Sequence, residues 1–78
     1  MDYRQVFAAN LRRIRHEKGF SQEDLAYEAE VNRTYMSKVE KGDTWVGLEI
    51  MVKLGRALGV EPGAFLQPPP KRVRKRQG

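Results

Sequence analysis

The apolar residues of this chain recur at helical spacing almost everywhere. Tyr3, Phe7, Leu11 and Ile14 follow one another at intervals of four, four and three, which predicts an amphipathic helix over about residues 2 to 18, closed by Gly19. Ser21 opens a second helix running to about Ala29. Its hydroxyl is placed to cap the helix, Asp24 completes a capping-box pattern, and Phe20 is spaced to staple onto Leu25. Two residues later Asn32 repeats the device for a third helix, with Val31 spaced to staple onto Met36 and Gly42 as its stop. Two helices joined by so short a turn must cross steeply.

"DTWV" then reads as a loop. Leu48, Met51, Leu54 and Leu58 restore the helical spacing in a fourth helix ended by Gly59, and Pro62 opens a short fifth through Ala64, Phe65 and Leu66. "QPPP" cannot continue a helix, because proline lacks the amide donor and disfavours helical geometry in the residue before it. No strand pattern or internal repeat competes. The expected architecture is all-α, with five helices in one domain over residues 1–67 and a Pro-rich, basic, disordered tail over 68–78.

The third helix is the unusual one. In "VNRTYMSKVEKG" only Tyr35, Met36 and Val39 offer substantial apolar surface, while Arg33, Thr34, Ser37 and Lys38 are left to face outward. A helix that packs on one narrow side, steeply crossed by a short partner, has the shape to enter a DNA major groove.

Charge refines this picture. The net charge of +5 comes from the end of the chain: "KRVRKRQG" holds five of the fifteen basic residues, and the other ten face ten acids. Residues 1–70 are formally neutral, so arrangement matters more than total. Arg12, Arg13, Arg15 and Lys18 crowd one segment, and Glu23, Asp24, Glu28 and Glu30 the next. With 78 residues and no cysteine, the chain offers one small core and no thiolate metal site. No cofactor is expected. The apolar runs are too short for a membrane span, and "MDYRQVF" lacks the pattern of a signal peptide, so a cytoplasmic protein is expected.

"SQEDLAYEAEVNRTYMSKVEKG" resembles the helix-turn-helix of the lambda-repressor-like, or XRE, family of bacterial and phage regulators, with helices 2 and 3 forming the motif. The matching positions are Gln22, Leu25, Ala26 where the helices cross, Val31 after the turn, and Met36 and Val39 toward the core. "LGRALGVEPGAFL" is similar to the family's fourth and fifth helices, so the likeness covers about residues 5 to 66.

The resemblance implies a sequence-specific regulator that binds double-stranded DNA as a homodimer, with recognition helices about 34 Å apart on a palindrome. It implies base contacts from Arg33, Thr34, Ser37 and Lys38. Arg33 suits guanine O6 and N7, Thr34 a base edge or the thymine methyl, and Lys38 guanine or a phosphate. Gln22 is implied as a phosphate contact that also braces a recognition residue, and Ser21, Asn32, Tyr35 and Lys41 as further phosphate contacts. Arg15 and Glu40 match a pair that joins the first and third helices in the family. Val46, Val60, Phe65 and Leu66 are expected either at a dimer interface or in the protomer's own core.

Three residues depart from the family pattern. Glu30 stands where glycine is frequent in the turn, Gly55 where alanine is usual, and Trp45 is a large aromatic in a loop, suited to the core edge, a subunit contact or the DNA backbone. The basic tail is expected to add attraction to any DNA sequence. An enzyme is not expected: the single His16 has no second histidine or cysteine, and no nucleophile elbow or phosphate-cradling loop occurs. Two functions fit this pattern. One is a transcription regulator of the phage-repressor or restriction-modification controller kind; the other is an antitoxin-type module that neutralises a protein partner and regulates itself through DNA.

Overall fold

The computed structural model describes residues 1–68. Most of the expected tail therefore lies outside the described residues. Helix α1 (Tyr3–Glu17) begins at Asp2, whose carboxylate accepts the Arg4 amide at 3.0 Å, and ends before Gly19, where φ is +80°. Its buried face carries Val6, Phe7, Leu11 and Ile14, while Tyr3, expected on that stripe, is half exposed at its free end.

Helix α2 (Gln22–Ala29) starts where Ser21 Oγ accepts the Asp24 amide at 2.9 Å. It closes through Glu30, which adopts the left-handed region (φ 57°, ψ 45°) and lets the Val31 amide return to Ala26 O at 2.9 Å. That reversal sends the chain straight into α3 (Arg33–Lys41), capped by Asn32 Oδ1 accepting the Tyr35 amide at 3.1 Å. Ala26 and Ala29 are buried in α2, so two small side chains line its inner face.

Helix α4 (Leu48–Leu58) follows the Asp43–Gly47 loop and buries Met51, Leu54 and Leu58. Leu48 does not join them: it is 70% exposed, because it sits in the first turn at the outer end of the stripe. The segment read as a fifth helix is instead a 3-10 helix, Pro62–Leu66, so there are four α-helices among the described residues and no strand. Five residues between an extended Glu61 and an extended Gln67 are too few to propagate an α-helix, and the turn closes with Ala64 N donating to Glu61 O at 2.9 Å.

Helix α1 packs on α3 and on the 3-10 helix, and α2 packs on α3 and α4. One core results, centred on Leu11, Leu25, Met36, Leu54 and Phe65. Phe65 is fully buried with its ring centroid 5.0 Å from that of Phe7, so it belongs to the protomer's own core and is not available to a dimer contact. Val46 and Val60 are partly buried against the same core, and Leu66 is 39% exposed. His16 is exposed on α1.

Candidate nucleic-acid interface

The outward face of α3 follows from its two ends. Asn32 spends its side-chain oxygen on the Tyr35 amide and fixes where the helix begins, and Met36, Val39 and Glu40 turn inward from there. Arg33, Thr34, Ser37 and Lys38 are left on the open side. Together with Gln22 at the start of α2 and Lys41 at the end of α3, they line an open groove with a cavity volume of about 370 Å³. Among the described residues, none of its three cations pairs with a carboxylate. A concave face with free cations, two hydroxyls and an amide is suited to hydrogen-bond base edges and phosphates.

Ser21, Asn32 and Tyr35 lie outside that lining. The first two are exposed and serve as helix caps through their oxygen atoms. Tyr35 is half-buried, and its hydroxyl donates to the carbonyl of Trp45 at 3.1 Å.

Behind the groove, Arg15 and Glu40 meet in the interior. Arg15 Nε donates to Glu40 Oε2 at 2.6 Å and Nη2 to Oε1 at 3.1 Å, and Nη1 satisfies Phe20 O at 2.9 Å. Gln22 Nε2 also donates to Glu40 Oε1, at 3.2 Å. A chain of hydrogen bonds thus runs from α1 through α3 to the side chain that opens α2, and it leaves the second amide proton of Gln22 free for an acceptor in the groove. Such a buried pair orients elements more than it stabilises them, since desolvation offsets most of its attraction.

Several anchoring residues escape the sequence reading. Arg12 Nη1 donates to Glu40 O at the end of α3, and Gln5 Nε2 donates to Gly42 O at 3.3 Å, so α1 holds α3 by its backbone as well. Asn10, nearly fully buried, donates to Phe65 O at 2.8 Å and Gln67 O at 2.7 Å and ties down the 3-10 helix. Its signal was present: a polar residue among Phe7, Leu11 and Ile14 on an apolar stripe must find partners inside. Arg4 lies 5.3 Å from the Trp45 ring centre and is paired with Asp2 at 3.1 Å. The side-chain hydrogen bond from Arg4 holds the Asp2 carboxyl below its ordinary pKa.

A doubly capped helix pair joined by a tight turn, with cations and hydroxyls presented from its second helix, is the form of the DNA-binding unit of helix-turn-helix regulators. The chain belongs to the helix-turn-helix domain family, whose model matches residues 6–66, and within it to the XRE-like DNA-binding regulators. It is 41% identical over 73 residues to a hypothetical transcription factor of Neisseria meningitidis, covering 94% of this chain and 69% of that protein. It is 43% identical over 64 residues to the control protein C.BamHI of Bacillus amyloliquefaciens, covering 81% and 79%. Among solved structures, the hypothetical transcription factor NHTF from Neisseria superposes with a TM-score of 0.83 at 43% identity, over 87% of this chain and 78% of that one. The restriction-modification controller protein C.AhdI from Aeromonas hydrophila gives 0.76 at 39% identity, over 80% and 94%. No helix among the described residues is long and apolar enough to cross a membrane, and no cluster of His, Cys, Asp or Glu there is able to hold a metal ion.

Proposed function

We propose that this protein is a sequence-specific transcription regulator that binds a palindromic operator as a homodimer, each protomer laying α3 in the major groove. The observation that supports this most is the groove itself, which gathers Arg33, Thr34, Ser37 and Lys38 on one face with Gln22 and Lys41 at its edges. In this reading Arg33 donates both bonds to a guanine, Thr34 and Ser37 read neighbouring edges, and Gln22, Ser21, Asn32 and Lys41 fix the register on phosphates. Likeness to C.BamHI and C.AhdI favours the controller of a restriction-modification system within this class.

The dimer face we propose is the apolar edge beside α1. Tyr3, Trp45 and Leu66 are exposed there, 46%, 67% and 39%, around a cavity of about 250 Å³ that Phe7, Val46 and Met51 also line. A second protomer seated on it would cover surface otherwise left in water.

Lys41→Ala tests the placement of the DNA backbone. With a mixed-sequence duplex labelled for fluorescence anisotropy, the variant is expected to bind every sequence more weakly. The slope of log K against log salt should fall by about 0.9 for each protomer bound. An unchanged slope would place the backbone elsewhere.

A further inference from the structure

Tyr35 has one hydroxyl proton, and in this structure that proton is committed. The hydroxyl donates to Trp45 O at 3.1 Å, across the space between the first turn of α3 and the loop that follows its end. A phosphate oxygen only accepts, so Tyr35 is able to bind one only by donating the same proton. Both contacts cannot coexist.

Apart from the bond from Tyr35, the loop is tied by Asp43 N donating to Lys38 O at 3.2 Å and by Val46, partly buried against the core, which leaves the Trp45 carbonyl held mainly by Tyr35. Gln5 secures Gly42 at its start, and the guanidinium of Arg4 sits over the Trp45 ring, itself shared with Asp2. The second donor to Trp45 O, Thr44 Oγ1, stands at a long 3.4 Å. The Trp45 side chain is 67% exposed and borders the apolar cavity of Tyr3, Val46 and Leu66. Tyr35 follows Thr34, which lines the groove, in the first turn of α3, and its hydroxyl bonds the carbonyl of Trp45, whose side chain lines the apolar cavity, so this one residue links the two elements. A hydrogen bond to an anionic phosphate is stronger than one to a neutral carbonyl, which favours the exchange once DNA is in place.

We propose that Tyr35 is a latch: its hydroxyl holds the Trp45 loop in the free protein and passes to a DNA phosphate in the complex, so that occupancy of the α3 face is transmitted to the Trp45 face. The proposal rests on the reading of α3 as the DNA-contacting helix. It makes Tyr35 a positioning residue for the loop as well as a phosphate contact, and it gives the protein a means by which DNA alters the surface proposed for self-association.

Trp45 is the single tryptophan, so its indole N–H gives one resonance in a ¹⁵N-labelled sample. Full-length protein and Tyr35→Phe are titrated with a mixed-sequence duplex, with binding followed in parallel by the anisotropy of a dye on the DNA. The expected result is a shift of the wild-type indole resonance as the duplex saturates. In Tyr35→Phe the free position should already be displaced in the same direction, and DNA should move it less than about a quarter as far. The ring is retained, and an unchanged far-UV spectrum and melting curve check that the variant folds. An indole resonance that stays fixed while the dye reports saturated binding would overturn the latch, as would a shift in Tyr35→Phe equal to that of the wild type. Absence of any dye response in the wild type would instead overturn the DNA reading, and the latch with it.

Discussion

Glu30 shows how one residue shapes the motif and what that costs. The turn between α2 and α3 needs a left-handed residue so that the chain reverses within three residues, and Glu30 takes that geometry with a side chain exposed to water. For a residue with a Cβ this costs about 1–2 kcal/mol, while glycine in its place would bring an unfolded-state entropy penalty of about 0.5–1 kcal/mol. Glu30→Gly is therefore expected to stabilise the domain by about 0.5–1 kcal/mol, read as a rise of about 2–8 °C in a thermal melt. A lower or unchanged Tm would show that the turn carries no such strain. Local chemistry of this kind was legible in the sequence: Ser21 and Asn32 cap the helices at the positions their spacing indicates, and Gly19, Gly42 and Gly59 take positive φ where each helix stops. Burial was less legible. Tyr3 and Leu48 fit the helical period yet end up exposed, because period identifies a face of a helix but not how far its neighbours extend along it.

At the level of elements, the turn from α4 into the 3-10 helix explains a glycine that helix propensity alone makes a defect. Val60 N donates to Gly55 O at 2.9 Å, which brings the returning chain over α4, and a Cβ at Gly55 would lie 2.8 Å from Val60 O. Alanine gains about 1 kcal/mol in helix propensity, but here it collides with backbone, and forced overpacking typically costs about 1–3 kcal/mol. The net expectation for Gly55→Ala is a lower midpoint in urea; a higher one would mean that the turn yields freely. The same turn accounts for the missed fifth α-helix. Proline at its start and an apolar residue at Phe65 are common to short α and 3-10 helices, so spacing alone does not separate them; the extended Glu61 and Gln67 leave only five residues between them, and Asn10 holds Phe65 O and Gln67 O in place. The link from Arg15 through Glu40 to Gln22 is likewise tertiary. Its members stand 25 and 18 positions apart, and only the family resemblance, not periodicity, put Arg15 beside Glu40.

For the whole molecule, function depends on dividing labour between faces. Among the described residues the groove side keeps its cations unpaired, α1 holds α3 in place through the exposed Gln5 and Arg12 and the buried Arg15, and the Trp45 edge offers apolar surface. Formal neutrality of residues 1–70 hides this arrangement, since Arg33, Lys38 and Lys41 share one groove while Glu23, Asp24, Glu28 and Glu30 lie on or just after α2. The residues that line the groove could be named from the sequence because the cap at Asn32 and the inward positions of α3 leave the others facing out; their contacts with DNA belong to the proposed function. The course of the Tyr35 hydroxyl could not, because it depends on where a ten-residue-distant carbonyl comes to rest.

Whether α3 reads bases is decided by selecting bound duplexes from a random DNA pool at near-physiological salt, for the wild type beside Arg33→Ala combined with Thr34→Ala. An enriched palindrome with half-sites about one helical turn apart is expected, lost in the double variant while weak, salt-sensitive binding to any sequence persists. No enriched sequence from the wild type, or the same palindrome from both proteins, would contradict base reading by α3.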